Sequence, residues 1–180
     1  NLNSNYQLNN DNISVVNNFF ILQKIFSLQQ NPSISISIEI KILDNGTILY
    51  SFDPSNNNNS FYIQTDTNNR LQIVWFQSNI ILNSVQNLNT DWYHIVIVYS
   101  NLDNTLSLYI NNQLDTSINL GFIQPYSKKN IFNNTWYMIG HHTESINIRG
   151  SIKNLKIYKK VLSINDIDLL YNNTETISSN

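Results

Sequence analysis

The sequence predicts an all-β protein, a β-sandwich or barrel with one short helix near its C-terminus. Residues 33–42 alternate five isoleucines with five polar residues, the period of a strand with one apolar and one wet face. Short strand-like segments recur along the rest of the chain with turn residues between them, as is typical of sandwiches and barrels. No fixed-period repeat or linker divides the chain, so we expect one domain over residues 1–180, with loose ends at 1–10 and 173–180.

Composition excludes several classes of protein. The 180 residues carry 12% charged residues and a formal net charge of -2, which argues against a nucleic-acid partner. Hydrophobic residues make up 41%, enough for a real core, while the polarity comes mainly from 34 Asn, 20 Ser and 10 Thr. There is no cysteine, so disulfides, zinc–thiolate sites and cysteine nucleophiles are excluded. No apolar run is long enough to span a bilayer, and we expect no membrane insertion.

The first half contains the clearest hairpin candidate. Residues 33–42 end near the turn sequence Asp44-Asn45-Gly46, and residues 47–52 are predicted to return as the partner strand. On the first strand the isoleucines should face the core, and the serines, Glu39 and Lys41 should face solvent. Further strands are predicted at 61–64, 71–76 and 79–82.

In the second half, residues 92–99 are apolar on both faces, which predicts a central strand covered on both sides. Residues 105–110 and 113–118 should form a hairpin around Asn111-Asn112, because Asn tolerates positive φ. Residues 136–140 and 151–158 are the last predicted strands. The final strand should pair inside a sheet near an edge with Leu155 and Ile157 buried.

A short helix should follow, because Ser163 and Asp166 have the spacing of a capping box. We expect the helix to lie against the sandwich, since it is too short to be stable alone. Its predicted packing residues recur at helical spacing and are Ile164, Ile167, Leu170 and Tyr171.

Five segments of the second half resemble motifs of laminin G-like domains. Their strand "W-x-H-hydrophobic" is similar to residues 92–99, and their "L-Y-I-N-G" hairpin to 106–114. The "I-G" strand is similar to 139–140, "G-x-I-D-x-hydrophobic-x-I-Y" to 150–158, and the closing "L-S-x-x-E-I-x-x-L-Y" to 161–171. The chain departs where Asn112 replaces the hairpin glycine and Lys153 replaces an acid.

The resemblance to laminin G-like domains of the concanavalin A-like lectin/glucanase superfamily implies a fold and a class of function. The implied fold is a concanavalin A-like jelly-roll β-sandwich of two antiparallel sheets. The implied function is a non-catalytic binding module for a glycan, a glycoprotein or another surface partner, sometimes with calcium. We therefore expect a domain of a larger extracellular, cell-surface or virion-surface protein.

Candidate ligand-binding residues lie in two polar segments. One holds Tyr126 with Lys128 and Lys129, in a predicted surface loop where an aromatic ring could stack on a sugar. The other holds His141, His142 and Glu144, but adjacent histidines in an extended segment point apart, which disfavours a shared metal.

The binding site could hold calcium or have no cofactor at all. The expectation of calcium rests almost entirely on the resemblance. Calcium prefers carboxylate and carbonyl oxygens, which turn residues supply. The candidate ligands are Asp44, Asn45 and Asp53, although ordinary turn chemistry explains the same residues. Apart from calcium, no cofactor is expected.

The sequence does not favour an enzyme. A glycosidase needs two nearby carboxylates, yet only three glutamates occur, and Glu39 has no acid two or four residues along its strand face. No nucleophile elbow or phosphate loop is present. The alternative to a binding module is a structural building block of a cell-surface, fibre or virion-surface assembly, whose partners would be copies of itself.

Overall fold

The structure is a computed structural model that describes residues 6–7, 13–15, 20–22, 33–52, 59–75, 80–120, 136–139 and 149–172. Over these residues the chain forms two antiparallel sheets and one short C-terminal helix, as predicted. The strands are β1 (Tyr6–Gln7), β2 (Ile13–Val15), β3 (Phe20–Leu22), β4 (Ile34–Asp44), β5 (Thr47–Phe52), β6 (Asn59–Thr65), β7 (Arg70–Trp75), β8 (Ile80–Asn87), β9 (Trp92–Ser100), β10 (Thr105–Ile110), β11 (Gln113–Asn119), β12 (Trp136–Ile139) and β13 (Arg149–Tyr158). The helix is α1 (Ile164–Tyr171). No helix in the described part of the chain is long and apolar enough to cross a bilayer.

The first sheet has the strand order β1-β13-β4-β9-β10-β11, and β2 also pairs with β13. The second sheet has the order β3-β12-β5-β6-β7-β8. β1 lies in the segment that was expected to be a loose end, and it pairs with β13.

The predicted hairpin between β4 and β5 is wrong, because the two strands belong to different sheets. The Asn45-Gly46 connection instead crosses between sheets and is tied to the end of β6. The Gly46 amide donates to Thr65 Oγ1, and the Thr65 amide donates to the Gly46 carbonyl, both at 3.0 Å. A turn signal reports a change of direction, but it does not report which strand pairs with which.

The core fills the space between the two sheets. All five isoleucines of the alternating segment are buried on the inner face of β4, which confirms their predicted direction. β9 and β10 extend this inner face with Ile95, Ile97, Leu106 and Leu108. The second sheet contributes the opposing layer, Ile48, Leu49, Ile63, Leu71, Ile73 and Leu82.

Helix α1 covers part of the outer face of the first sheet. Ile167 and Leu170 pack with Val96 and Val98, so β9 is covered on both faces as predicted. Ile164 and Tyr171 are exposed, which corrects their assignment as packing residues. The helix begins with the predicted capping box: Ser163 Oγ accepts from the Asp166 amide, and an Asp166 carboxylate oxygen accepts from the Ser163 amide at 2.8 Å.

The outer serines of β4 are buried, contrary to the prediction that they face solvent. Ser35 Oγ donates to the Lys160 carbonyl at 2.7 Å and accepts from the Leu162 amide at 3.0 Å. The segment that leads into α1 therefore lies directly over this end of β4. Period-two alternation identifies two faces, but it does not show that a later segment covers the polar one.

β13 contains a bulge that changes its facing pattern. It pairs with β4 on one side and with β1 and β2 on the other, so it lies inside the sheet. Between Lys153 and Lys156 its register shifts by one residue, at Asn154, whose φ is 53°. Leu155 and Ile157 are buried as predicted, but Ile152 is buried in the same core, whereas a regular strand would place it opposite.

Candidate functional site

Several connections meet at one end of the sandwich, here called the Asn45 end. They are the crossover after Asp44, the turn over residues 66–69, the segment 88–91 and the turn Asn111-Asn112. The registers place them together, because β9 begins opposite Lys41 and β8 ends opposite Arg70. The Leu88 amide also donates to the Asn69 carbonyl at 2.8 Å.

A cleft of about 330 Å³ opens at the Asn45 end, within the size range of small-ligand sites. Three aliphatic side chains, two amides and one hydroxyl line it, and none of these groups is ionisable. The lining residues are Ile42, Leu43, Asn69, Leu88, Asn89 and Thr90. Leu43 is 59% exposed, whereas Ile42 and Leu88 belong to the core. The cleft therefore offers an apolar wall next to uncharged hydrogen-bonding groups.

The turn that carries Asn69 is held by an adjacent carboxylate. Asp66 accepts from the backbone amides of Asn68 and Arg70, and its side chain pairs with the Arg70 guanidinium at 2.9 Å. Burial alone would raise the pKa of Asp66, but these hydrogen bonds and the positive charge of Arg70 outweigh it and lower that pKa. Asn69 itself adopts a φ of 58°, which Asn tolerates better than most residues.

Asn89 is fixed on the opposite side of the cleft. Its Oδ1 accepts from the Asp91 amide and from the Tyr93 hydroxyl, both at 2.8 Å. The backbone amide of Asn89 donates to the same Tyr93 hydroxyl at 3.2 Å. Asn89 Nδ2 donates no hydrogen bond to any described residue, so the side-chain NH2 group of Asn89 is available to a ligand.

Beyond the cover of α1, the outer face of the first sheet carries a cluster of polar and aromatic side chains. Glu39 pairs with Lys153 across β4 and β13, with Nζ and Oε2 3.0 Å apart, and it accepts from Asn154 Nδ2 at 2.5 Å. Lys153 Nζ also lies 4.5 Å from the centroid of the Trp92 ring. Lys153, which stands where laminin G-like domains commonly have an acid, thus connects β13 with β4 and β9.

His94 is buried at the border between this open face and α1. Its side chain lies on the outer face of the first sheet, with its ring centroid 5.9 Å from that of Tyr171. His94 Nε2 and Ser37 Oγ are 2.9 Å apart, and among the described residues Nδ1 has no hydrogen-bond partner. Burial lowers the pKa of His94 to about 4, with Glu39 opposing and Lys156 adding to the effect.

The predicted ligand-binding residues lie outside the described residues. They are Tyr126, Lys128, Lys129, His141, His142 and Glu144. The described residues that flank the first segment, Leu120 and Trp136, lie at the end opposite the Asn45 end. Ile139 and Arg149, which flank the second segment, lie at the Asn45 end. The described residues that flank the two segments therefore lie at opposite ends of the sandwich.

Of the three predicted calcium ligands, the structure describes Asp44 and Asn45 but not Asp53. Asp44 and Asn45 lie at the Asn45 end, where Asp44 Oδ1 accepts from the Asn45 amide at 2.9 Å. Asp53 lies outside the described residues. The residue before it, Phe52, ends β5 at the opposite end of the sandwich. At about 3.3 Å per residue, Phe52 is roughly 17 Å from Thr47. In the described part of the chain no group of three or more His, Cys, Asp or Glu side chains could hold a metal ion. Calcium binding stays a prediction.

The sequence reasoning missed every residue that lines the cleft. These residues come from β4, from the turn before β7 and from the segment before β9, which are distant along the chain. The only sequence signal was the concentration of Asn and Thr in the segment 87–90, which is typical of any loop.

Solved structures share this fold. The binding domain of botulinum neurotoxin DC is similar in its complex with SialylT, with a TM-score of 0.60, 23% identity and 81% of this chain covered. The same domain in complex with rat synaptotagmin II has a TM-score of 0.64 and 21% identity, with 95% of this chain covered. The chain spans only 36% and 43% of those two toxin chains. The carbohydrate-binding module CBM40 of the Ruminococcus gnavus IT-sialidase, bound to α2,3-sialyllactose, gives 0.62 with 15% identity, covering 80% of this chain and 83% of the module.

Sequence comparison gives the family. No curated protein sequence matches the chain significantly. A laminin G family model, described as concanavalin A-like lectin/glucanases superfamily, matches residues 16–168. This match covers most of the chain and agrees with the two antiparallel sheets described above. The chain therefore belongs to the concanavalin A-like lectin/glucanases superfamily.

Proposed function

We propose that this domain is a non-catalytic glycan-binding module whose site is the cleft at the Asn45 end. The observation that carries the proposal is the chemistry of the lining: an exposed leucine, two amides and a hydroxyl, with no ionisable group. A sugar presents apolar C–H faces between hydroxyls that both donate and accept hydrogen bonds. Asn and Thr side chains can do both as well, and Leu43 supplies an apolar contact.

Three of the described carboxylates have structural roles, which supports a binding role over catalysis. Glu39 is held by Lys153 and Asn154, and Asp66 is held by Arg70 and the backbone. Asp115 accepts from the amides of β8, at 2.7 Å for Val85. A glycosidase needs one carboxyl group to protonate the leaving group and a second to act as base or nucleophile. Carboxylates in such structural roles are poor candidates for either task.

The structural neighbours support the same class of function. The toxin domain forms complexes with SialylT and with a protein, synaptotagmin II, and the CBM40 module binds α2,3-sialyllactose. The CBM40 module is the more informative neighbour, because its alignment covers most of both chains. The toxin complexes carry less weight, because this chain spans less than half of each toxin chain. An extracellular or surface location forms part of our proposal.

A glycan array, run with and without calcium, tests the proposal. We expect binding to a defined set of glycans that Leu43→Ala weakens by roughly tenfold or more, because each buried methylene contributes about 0.8 kcal/mol. Leu102→Ala is the matched control, since Leu102 is 90% exposed at the opposite end of the sandwich. An array without any bound glycan would refute the proposal, and equal affinities of the two variants would refute the site. Dependence on calcium would support the predicted cofactor.

A second candidate function is assembly with copies of the same chain. Four exposed aliphatic side chains lie on the adjoining edge strands β8 and β11: Ile81, Val85, Leu114 and Ile118. An edge strand that carries exposed apolar side chains can pair with the edge of another copy. Sedimentation at micromolar concentration tests this function: a dimer or larger species that Leu114→Lys dissociates would support assembly, and a monomer at all concentrations would exclude it.

A further inference from the structure

The positive charges of the chain are concentrated on one part of the fold. Strand β4, strand β13 and the connection to α1 hold six of the ten basic residues but only two of the twelve acidic ones. The six are Lys41, Arg149, Lys153, Lys156, Lys159 and Lys160. This region is therefore basic although the chain as a whole has a net charge of -2.

The bulge at Asn154 brings two of these lysines to the same face. Residues three apart on a regular strand point to opposite faces, so Lys153 and Lys156 would be separated by the sheet. The bulge adds one residue, and the pair then opposes Glu39 and Ser37, which share the outer face of β4. Lys41 lies on this face as well, because it is two residues from Glu39 along β4.

The charge of Lys41 is not neutralised within the described part of the chain. Glu39 is already paired with Lys153 and hydrogen-bonded to Asn154. The ammonium group of Lys41 has no hydrogen bond or ion pair with any described residue, although the strand is interior and the side chain half-buried. Lys41 lies opposite Trp92 on β9 and opposite Ser151 on β13. A cation, an indole ring and a hydroxyl thus lie side by side in one row across three strands.

We infer that this basic face binds an anionic glycan that carries carboxylate or sulfate groups, at a site distinct from the cleft. Lys41 and Lys153 are diagonal neighbours on adjacent strands, with their Cα atoms roughly 7–8 Å apart. The two ammonium groups can each contact one charged group of a sugar chain. Ser151 can bind its hydroxyls, and the exposed part of Trp92 can contact its apolar faces.

The position of the lysines favours a glycan over an acidic peptide. A peptide commonly docks on a sheet by adding a strand to an open edge. The edge of β13 away from β4 is already paired with β1 and β2, and β4 lies between two strands. Recognition on this face therefore depends on side chains alone, which suits a ligand whose charges and hydroxyls project along its whole length.

Isothermal titration calorimetry with a heparin-derived hexasaccharide and its fully desulfated, carboxyl-reduced counterpart tests the inference. The unmodified chain should bind the sulfated probe at 50 mM salt, more weakly at 300 mM salt because the charges are screened, and should not bind the neutral counterpart at this face. Lys41→Gln and Lys156→Gln should each weaken binding by roughly tenfold, the scale of a hydrogen bond to a charged group. Arg70→Gln is the control: it removes one positive charge from the second sheet.

The outcomes separate this inference from the proposed function. Leu43→Ala should leave the affinity for the sulfated probe unchanged, and Lys41→Gln should leave binding of the cleft's glycans unchanged. No binding of the sulfated probe at 50 mM salt, or equal losses in Lys41→Gln and Arg70→Gln, would overturn the basic-face site and leave the cleft proposal standing. Tighter binding of a polyglutamate peptide or of phosphatidylserine vesicles, with the same dependence on Lys41, would overturn the glycan assignment. Melting temperatures show whether each variant is folded. If Lys156→Gln is unstable, the comparison of Lys41→Gln with Arg70→Gln decides the test.

Discussion

Acid should destabilise this domain through one buried imidazole. In the folded chain the pKa of His94 is lowered to about 4, first by burial, with a further contribution from Lys156 that Glu39 opposes. In the unfolded chain its pKa should be near the ordinary 6.5. Between pH 6.5 and 4 the unfolded state therefore binds more protons, so the free energy of unfolding falls as the pH falls. At about 1.4 kcal/mol per pH unit the loss amounts to about 3 kcal/mol, and it should level off below pH 4.

Urea denaturation of the unmodified chain and of His94→Gln at pH 7, 5.5 and 4 measures this loss. The variant cannot titrate at this position, yet it can still hydrogen-bond to Ser37 Oγ. Asp66 and Asp166, whose pKa values are lowered, lose stabilisation in acid in both proteins, so the comparison cancels their effect. Between pH 7 and pH 4 the unmodified chain should lose about 3 kcal/mol more than the variant. Parallel pH dependences, or an NMR titration that places the pKa of His94 near 6.5, would refute the reasoning.

Three further perturbations test the fold. Ile36→Ala should lower the free energy of unfolding by about 2–5 kcal/mol in urea denaturation, because Ile36 is 1% exposed, whereas Leu43→Ala should change it little. Gly150→Ala should prevent the pairing of β13 with β4, since a Cβ would overlap the Lys41 carbonyl oxygen, and a circular dichroism spectrum and melting temperature like those of the unmodified chain would contradict this. Ser163→Ala should cost about 1 kcal/mol through the lost helix cap, and Ser163→Asp, which can still cap, should recover most of it.

Local patterns predicted local structure well. The alternation over residues 33–42 gave the strand and the buried face of β4, and Ser163 with Asp166 gave the start of α1. The asparagines 111 and 112 adopt φ values of 50° and 66°, as the predicted tight turn requires. Each of these features depends on residues close together along the chain.

Long-range relations were harder to predict. Nothing in the periodicity of β4 and β5 shows that one lies in each sheet, and nothing in residues 34–38 shows that the segment before α1 covers Ser35. The pair Glu39–Lys153 joins residues more than a hundred positions apart, and the bulge at Asn154 reverses the face that simple alternation assigns. The cleft likewise combines residues from three separate segments.

The partners of β4 also constrain the order in which the chain can fold. Ile36 pairs with Ile97 on one side and with Ile157 on the other, so both neighbours of β4 come late in the sequence. Closing such long loops costs entropy before any contact repays it, and topologies of this kind fold slowly. During synthesis from the N-terminus, the second-sheet strands that cover the five isoleucines, β5 to β8, are made soon after β4, but both edges of β4 stay unpaired until β9 and then β13 have been made. A chain cut before residue 149 should therefore keep one edge of β4 unpaired permanently, and an unpaired strand edge is a template for aggregation.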